Sequence, residues 1–210
     1  MFTDGIPTVY WFGVEGDYTV LIMAILGPNL QQLFDFCEHN FSLKTVLTIA
    51  IQMIQRLEYL HSKNFVHRDM KPENIVIGQG KKANTIYLID FGLAKRYLCP
   101  KSGSHIPFKS NKGIIGTTKY LSLSGHRGNE HSRRDDLEAL GMVLIHFLRK
   151  GKLPWDMPRP TEYKIDVKEA QAYQQLALKE KAQAEWALAV LNSKTDTTIE
   201  QLCEGCPLPF

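Results

Sequence analysis

The sequence predicts an α+β fold that is mainly helical, with a two-stranded β piece at its N-terminal end. Three observations carry this. Residues 7–15 and 17–26 are rich in β-forming side chains on either side of a Gly16-Asp17 turn. From Leu30 onward, apolar residues recur at spacings of three and four. Two polar strings, His67-Arg68-Asp69-Met70-Lys71-Pro72-Glu73-Asn74 and Asp90-Phe91-Gly92, fall where that helical pattern breaks. At 210 residues the chain can bury one sizeable core, so a single domain is expected.

In the first strand Thr8, Val9, Tyr10 and Trp11 favour extended backbone; in the second, residues 20–25 are almost continuously apolar, and Gly27-Pro28 ends it. A short amphipathic helix through Leu30, Leu33, Phe34 and Cys37 follows. Ser42 caps the clearest helix, in which Leu43, Val46, Leu47, Ala50, Met53, Ile54, Leu57 and Leu60 form the apolar face. Lys44, Thr48, Gln52 and Arg56 are expected on its outer side, and Asn64 is its stop. Residues 75–77 and 85–89 read as two short strands around a Gly-Lys-Lys turn, so Asp90 stands at a strand terminus. Residues 93–119 form a long basic loop, a length that in compact domains is usually functional. Ser132 or Asp135 opens a helix with Leu137, Leu140, Leu144, Phe147 and Leu148 on one face, ended by Gly151 and Pro154. Residues 166–192, rich in Ala, Gln, Lys and Glu, read as a helix with a narrow apolar stripe, either solvated or partner-binding.

Composition narrows the function classes. With 44% hydrophobic and 22% charged residues the chain is ordinary for a globular protein, and a net charge of +3 does not argue for nucleic acid. No apolar run reaches bilayer length. Asp4 comes early and no basic start precedes an apolar stretch, which points away from a secretory signal and towards a cytoplasmic or nuclear protein. Cys37 and Cys99 are isolated, and Cys203-x-x-Cys206 is half of a zinc knuckle without a second pair. Reduced thiols are expected.

The two polar strings hold the groups that phosphoryl transfer needs. One acid orients and deprotonates a hydroxyl, and a lysine two residues later neutralises the moving phosphate. An amide oxygen and a further carboxylate hold Mg²⁺ ions. In this order and spacing the strings resemble the catalytic and magnesium loops of eukaryotic protein kinases. The likeness narrows with Gly5-Ile6-Pro7-Thr8, Glu15-Gly16-Asp17-Tyr18, Leu26-Gly27-Pro28, Phe41-Ser42-Leu43-Lys44, His61-Ser62-Lys63-Asn64-Phe65, His105-Ile106-Pro107, Ser132-Arg133-Arg134-Asp135-Asp136 and Leu153-Pro154-Trp155. These resemble the casein kinase 1 family, over residues 5–158 and again from Thr198 to the C-terminus. The His105 and Arg133-Arg134 segments distinguish that family from other kinases.

The resemblance implies a protein-kinase-like fold, with residues 1–27 as a small-lobe remnant and hinge and residues 28–210 as a large lobe truncated at its C-terminus. It also implies ATP and Mg²⁺ as cofactors. Asp69 would be the catalytic base, Lys71 the phosphate-stabilising lysine, and Asn74 and Asp90 the metal ligands. Thr117 would bridge Asp69 and Lys71, and Asp136 would brace the catalytic loop from beneath. Met23 would lie behind the adenine, with Ala24, Ile25 and Leu26 as the hinge. The family prefers acidic or already phosphorylated protein substrates, and Lys109, Lys112, Lys119 and Arg159 stand where its anion-binding cations are expected; a solvated basic loop is the plain alternative.

Departures accompany the likeness. The family's Ser-Ile-Asn string is Ser122-Leu123-Ser124 here, and Lys119 replaces an arginine, keeping charge but losing the bidentate fork. No Gly-x-Gly-x-x-Gly or Val-Ala-Ile-Lys string occurs among the 66 residues before His67; Gly13, Gly16 and Gly27 are scattered. The expected function is ATP-dependent phosphorylation of serine or threonine, and the alternative is an inactive fragment serving as a binding or regulatory module. The strand at residues 18–24 is expected to leave an open apolar edge prone to self-association.

Overall fold

The computed structural model describes residues 5–156, and the expectations for Arg159, the 166–192 helix, the Cys203 and Cys206 pair and the matches from Thr198 onward lie outside them. The N-terminal hairpin pairs β1 (Val9–Glu15) with β2 (Tyr18–Met23), antiparallel, with a register irregularity between Val9 and Trp11. Both strands are shorter than the sequence suggests, because residues 24–28 leave the ladder and run as coil. The hairpin is two-stranded, so its faces have little to pack on: Tyr10, Phe12, Val14 and Tyr18 are all exposed.

Helix α1 (Leu30–Phe36) begins with a reciprocal capping box between Asn29 and Gln32, and Leu30 and Phe34 are its buried residues. Helix α2 (Leu43–Ser62) is capped by Ser42, whose hydroxyl accepts from Thr45 N–H at 3.1 Å, and ends before Asn64, which adopts φ +69°. Its buried face is Val46, Ile49, Ala50, Met53, Leu57 and Leu60. Leu43, expected inside, is exposed in the first turn, and Ile49 takes a place that the sequence pattern did not assign it.

The outer face expected for α2 needs correcting at two positions. The Gln52 side chain donates to Asn84 O at 3.0 Å and accepts from Ile86 N–H at 2.9 Å, and Arg56 Nε donates to Ile86 O at 3.0 Å. Both polar side chains therefore satisfy the free backbone edge of a strand, an arrangement invisible to helical periodicity. That strand is β5 (Ile86–Leu88), paired antiparallel with β4 (Ile75–Ile77).

Between α2 and β4 runs β3 (Phe65–Val66), which pairs with β6 (Lys95–Arg96). The sequence reading left residues 93–119 without structure. The segment is instead pinned by β6, by a Leu98–His105 bridge, and by bonds from Glu130 N–H to Lys109 O and Lys112 N–H to Gly128 O, both at 2.7 Å. A one-turn helix α3 (Leu123–His126) follows, then α4 (Arg133–Leu148). Ser132, not Asp135, is the N-cap, and Asp135 closes the capping box.

The buried apolar side chains of α4 are Ala139, Leu140, Val143 and Phe147, while Leu148 is exposed, so the core face is rotated from the expected leucine row. α2 packs against α4, and Phe34, Phe41 and Phe147 meet at centroid distances of 5.0–5.1 Å. Beyond Lys152 a separate unit begins, of which the described part is Leu153 and the single turn Pro154–Asp156, closed by Leu153 N–H to Asp156 Oδ2 at 3.0 Å.

Replacing Gln52 with alanine strands the Ile86 N–H at a part-buried position, which costs about 1–3 kcal/mol. Urea unfolding of Gln52→Ala should show that loss, whereas Lys44→Ala, on the exposed first turn, should stay within about 0.5 kcal/mol of the parent. Equal effects would show that the strand edge does not depend on Gln52.

Candidate active site

The loop between β3 and β4 carries the first polar string, and α4 fixes its backbone. Asp136 is 1% exposed, in the first turn of α4, where the helix dipole favours a negative charge. Its Oδ1 accepts from Arg68 N–H at 2.9 Å, and its Oδ2 accepts from His67 N–H at 2.8 Å and lies 2.9 Å from His61 Nε2. The expected brace beneath the loop is therefore present. Arg68 is held at φ +71°. The His67 ring places Nδ1 3.3 Å from Asp69 N–H and Nε2 3.0 Å from Ile89 O, which selects the tautomer with its proton on Nε2.

Asp69 follows, with both carboxylate oxygens occupied. Oδ1 accepts from Thr117 N–H at 2.9 Å and its hydroxyl at 2.7 Å. Oδ2 accepts from Asn74 Nδ2 at 3.1 Å and lies 2.8 Å from Lys71 Nζ. Burial alone would push the Asp69 carboxyl up, but the bonds from Lys71 and Thr117 outweigh it and hold the group below the ordinary carboxylate range. Lys71 is raised in turn, chiefly by its bond to Asp69, with a smaller contribution from the charge of Asp90.

The 3₁₀ turn Pro72–Asn74 aims Asn74 back at Asp69, its amide also donating to Asp69 O at 2.9 Å. Asn74 O accepts from Ile89 N–H at 3.0 Å, which ties the first string to the second. Asp90 leaves β5 at φ +62°, a conformation costly for most residues but tolerated by Asp, and its carboxylate accepts from Gly92 N–H at 3.2 Å. Gly116 approaches the loop from the other side at φ +97°; a Cβ there would collide with the Arg68 carbonyl oxygen.

An acid, lysine, amide and hydroxyl in one bonded cluster, with a second acid tethered beside it, are the parts of a phosphoryl-transfer centre. A family model described as protein kinase domain matches residues 4–207. The chain belongs to the protein kinase domain family. It is a protein kinase by that membership, mainly helical with small sheets, as expected.

The residues expected to hold Mg²⁺ carry oxygen donors. Asn74 turns its NH₂ inward to Asp69, which leaves its amide oxygen Oδ1 as the atom able to ligate a metal, and Asp90 is an exposed carboxylate. Among the described residues no group of three or more His, Cys, Asp or Glu could hold a metal ion. Two hard oxygen donors fit an ion that completes its shell with water and phosphate, as Mg²⁺ does.

The hinge is fastened to the helical body. Gly27 N–H donates to Ile77 O at 2.8 Å and Ile77 N–H to Pro28 O at 3.1 Å, and a Cβ on Gly27 would stand only 2.9–3.1 Å from Ile77 and Gly78 atoms. Met23 ends β2, Ile25 is exposed, and Ala24 N–H donates to Thr8 O at 2.8 Å.

The expected anion-binding lysines fare differently. Lys109 is exposed and contributes its carbonyl to Glu130 N–H. Lys119 Nζ lies 3.5 Å from Gly151 O and 5.8 Å from the Tyr120 ring centroid. Lys112 Nζ stands 3.9 Å from Glu130, whose other oxygen bonds Lys95 Nζ at 2.7 Å. Burial would raise the Glu130 carboxyl, but Lys95, then Lys112 and Arg68, hold it below the ordinary range. Three cations thus surround one buried carboxylate, beside the catalytic loop. Sequence reasoning missed Arg68, Lys95 and Glu130 because their segments are far apart in the chain. Ser124, at the asparagine position of the Ser122-Leu123-Ser124 string, has its hydroxyl in contact with Asn129 Nδ2 at 3.2 Å and Arg134 at 3.4 Å, while Ser122 donates to buried Asp135 at 2.6 Å.

The depressed Asp69 carboxyl sets a pH signature. Its contribution to stability is complete above about pH 4, the unfolded value, and disappears as pH falls through the lower folded value. Between about pH 5 and pH 3, unfolding free energy should therefore fall more steeply for the parent than for Asp69→Asn. Parallel urea-midpoint profiles would refute the assignment.

Proposed function

We propose that this kinase domain transfers the γ-phosphoryl group of ATP to serine or threonine in acidic or already phosphorylated protein segments, in the manner of the casein kinase 1 family. The observation that carries the reading is the position of the Arg68, Lys95 and Lys112 cluster, joined through the Arg68 backbone to Asp69. Lys95, Lys112 and Arg68 face two carboxylates, Glu130 and Asp136, so one positive charge stays in excess, and an incoming phosphate or carboxylate gains charge-assisted bonds there. Lys71 beside Asp69 supports serine and threonine over tyrosine by resemblance.

In this reading Asp69 orients the attacking hydroxyl. Its low affinity for protons makes it a late acceptor, taking the hydroxyl proton as the new P–O bond forms. Thr117 and Asn74 fix its rotamer, and Lys71 supplies positive charge to the transferring group. Asn74 and Asp90 would hold Mg²⁺, which when bound neutralises charge on the phosphates. Met23 lines the rear of the adenine site, and the Ala24–Leu26 backbone bonds the base edge.

The 210 residues include no glycine-rich phosphate loop, so turnover by this chain alone should be slow. Radiolabel transfer from ATP to a serine in an acidic or primed peptide should exceed transfer to a basic control peptide. Asp69→Asn should lower it roughly 10²- to 10⁴-fold. Undiminished transfer in that variant, or no preference for the acidic peptide, would overturn the proposal.

The hairpin favours a further property, self-association. Val9, Phe12, Leu21 and Ile22 are 50–68% exposed, and β2 has no second neighbour among the described residues. Such an edge is a template for a second copy. Sedimentation at tens of micromolar, where exposed edges associate, should show species larger than the monomer, and Leu21→Lys with Ile22→Lys should reduce them. A monomer throughout would refute it.

A further inference from the structure

Gln79 lies outside every motif of the sequence, yet its side-chain amide reaches the hinge, where Nε2 donates to Leu26 O at 2.9 Å. The peptide joining Leu26 to Gly27 is trans, as are all the described peptide bonds, so its N–H and its carbonyl point in opposite directions. The N–H is spent on Ile77 O at 2.8 Å, on the side of β4. The carbonyl therefore faces away from β4, and Gln79 curls round to meet it from its position just beyond that strand.

The other hinge groups are distributed as follows. Ala24 N–H is taken by Thr8 O, and among the described residues no hydrogen bond uses the Ala24 carbonyl, the Leu26 N–H, or the N–H and carbonyl of Ile25 between them. An adenine edge carries one donor, the 6-amino group, and one acceptor, N1, which match the Ala24 carbonyl and the Leu26 N–H. A base with a further donor beside N1 would direct it at the Leu26 carbonyl, the group that Gln79 already occupies.

We propose that Gln79 tunes the base specificity of this hinge: its amide caps the Leu26 carbonyl and occupies a lone pair that a 2-amino group on the purine would otherwise use. The inference rests on the hinge reading given under the proposed function. A ligand donor directed at Leu26 O must displace the Gln79 amide or share the oxygen with it through the second lone pair, so a 2-amino group gains less than it would at an uncapped carbonyl. With the cap removed, the same group finds an unpaired carbonyl.

The two nucleosides that isolate this effect are adenosine and 2-aminoadenosine, which differ by one amino group. Their dissociation constants are measured by calorimetry on the whole chain, for the parent, for Gln79→Met (similar length, no donor) and for Gln79→Glu (an acceptor in place of the donor). The quantity read is the ratio of the two constants within each protein, so a general loss of stability or of hinge order cancels. The ratio should be close to one in the parent, and 2-aminoadenosine should gain about 3- to 10-fold over adenosine in both variants, the worth of one hydrogen bond. Adenosine binding with the same ratio in all three proteins would overturn the role of Gln79 and leave the hinge reading standing. No adenosine binding to any of them at millimolar concentration would overturn the hinge reading and the inference with it.

Discussion

A single buried carboxylate organises the centre of this molecule. Removing Asp136 from water would cost several kcal/mol unless its oxygens found donors, and the donors it finds are two consecutive backbone N–H groups and an imidazole. Meeting that requirement forces residues 67 and 68 into the path they take, including the left-handed turn at Arg68. The direction of that path decides where the next residue, Asp69, presents its carboxylate. The helix that carries Asp136 is itself positioned by apolar burial against α2, so core packing is converted into placement of a reactive group.

Charge is distributed in two tiers around this centre. Asp69 is matched by one lysine and satisfied by neutral donors, giving a fixed orientation and a reduced appetite for protons. Glu130, one loop away, is outnumbered by cations. The first arrangement fixes a carboxylate in one orientation, and the second leaves a local excess of positive charge. Glu130 keeps Lys95 and Lys112 from repelling one another in the absence of ligand.

Local signals in the sequence were sufficient for the long elements and the reacting groups. Ser42 and Asn64 bracket α2 correctly because capping and left-handed termination are properties of single residues. Asp69, Lys71 and Asn74 cluster because they share one short loop, and Thr117 joins them through bonds to Asp69, with no bond to Lys71 of the kind the expected bridge requires among the described residues. What escaped detection is relational. Strands of two residues, such as β3 and β6, carry no periodicity at all. Gln52 and Arg56 look like solvent-facing positions until a strand edge 30 or more residues away is brought to them. The α4 face rotated because Asp135 and Asp136 claim the buried side of its first turn, which moves the following apolar contacts to Ala139 and Val143.

Gly27 has a mechanical consequence. Its backbone is bonded to Ile77 and leaves no space for even a methyl group, so the chain at that point moves with the helical body as one piece. The hairpin β1–β2 is joined to that body through residues 24–26 on one side and, on the other, through residues 6–8, which follow the bond from Leu88 N–H to Gly5 O at 2.9 Å. Any swing of the hairpin therefore turns on these two short links, one of which carries the groups proposed to grip a nucleotide base. In such a lever a small rotation at the pivot becomes a large displacement at the Gly16 turn, while Leu26, nearest the pivot, travels least. The point of least travel coincides with the backbone proposed to meet the base.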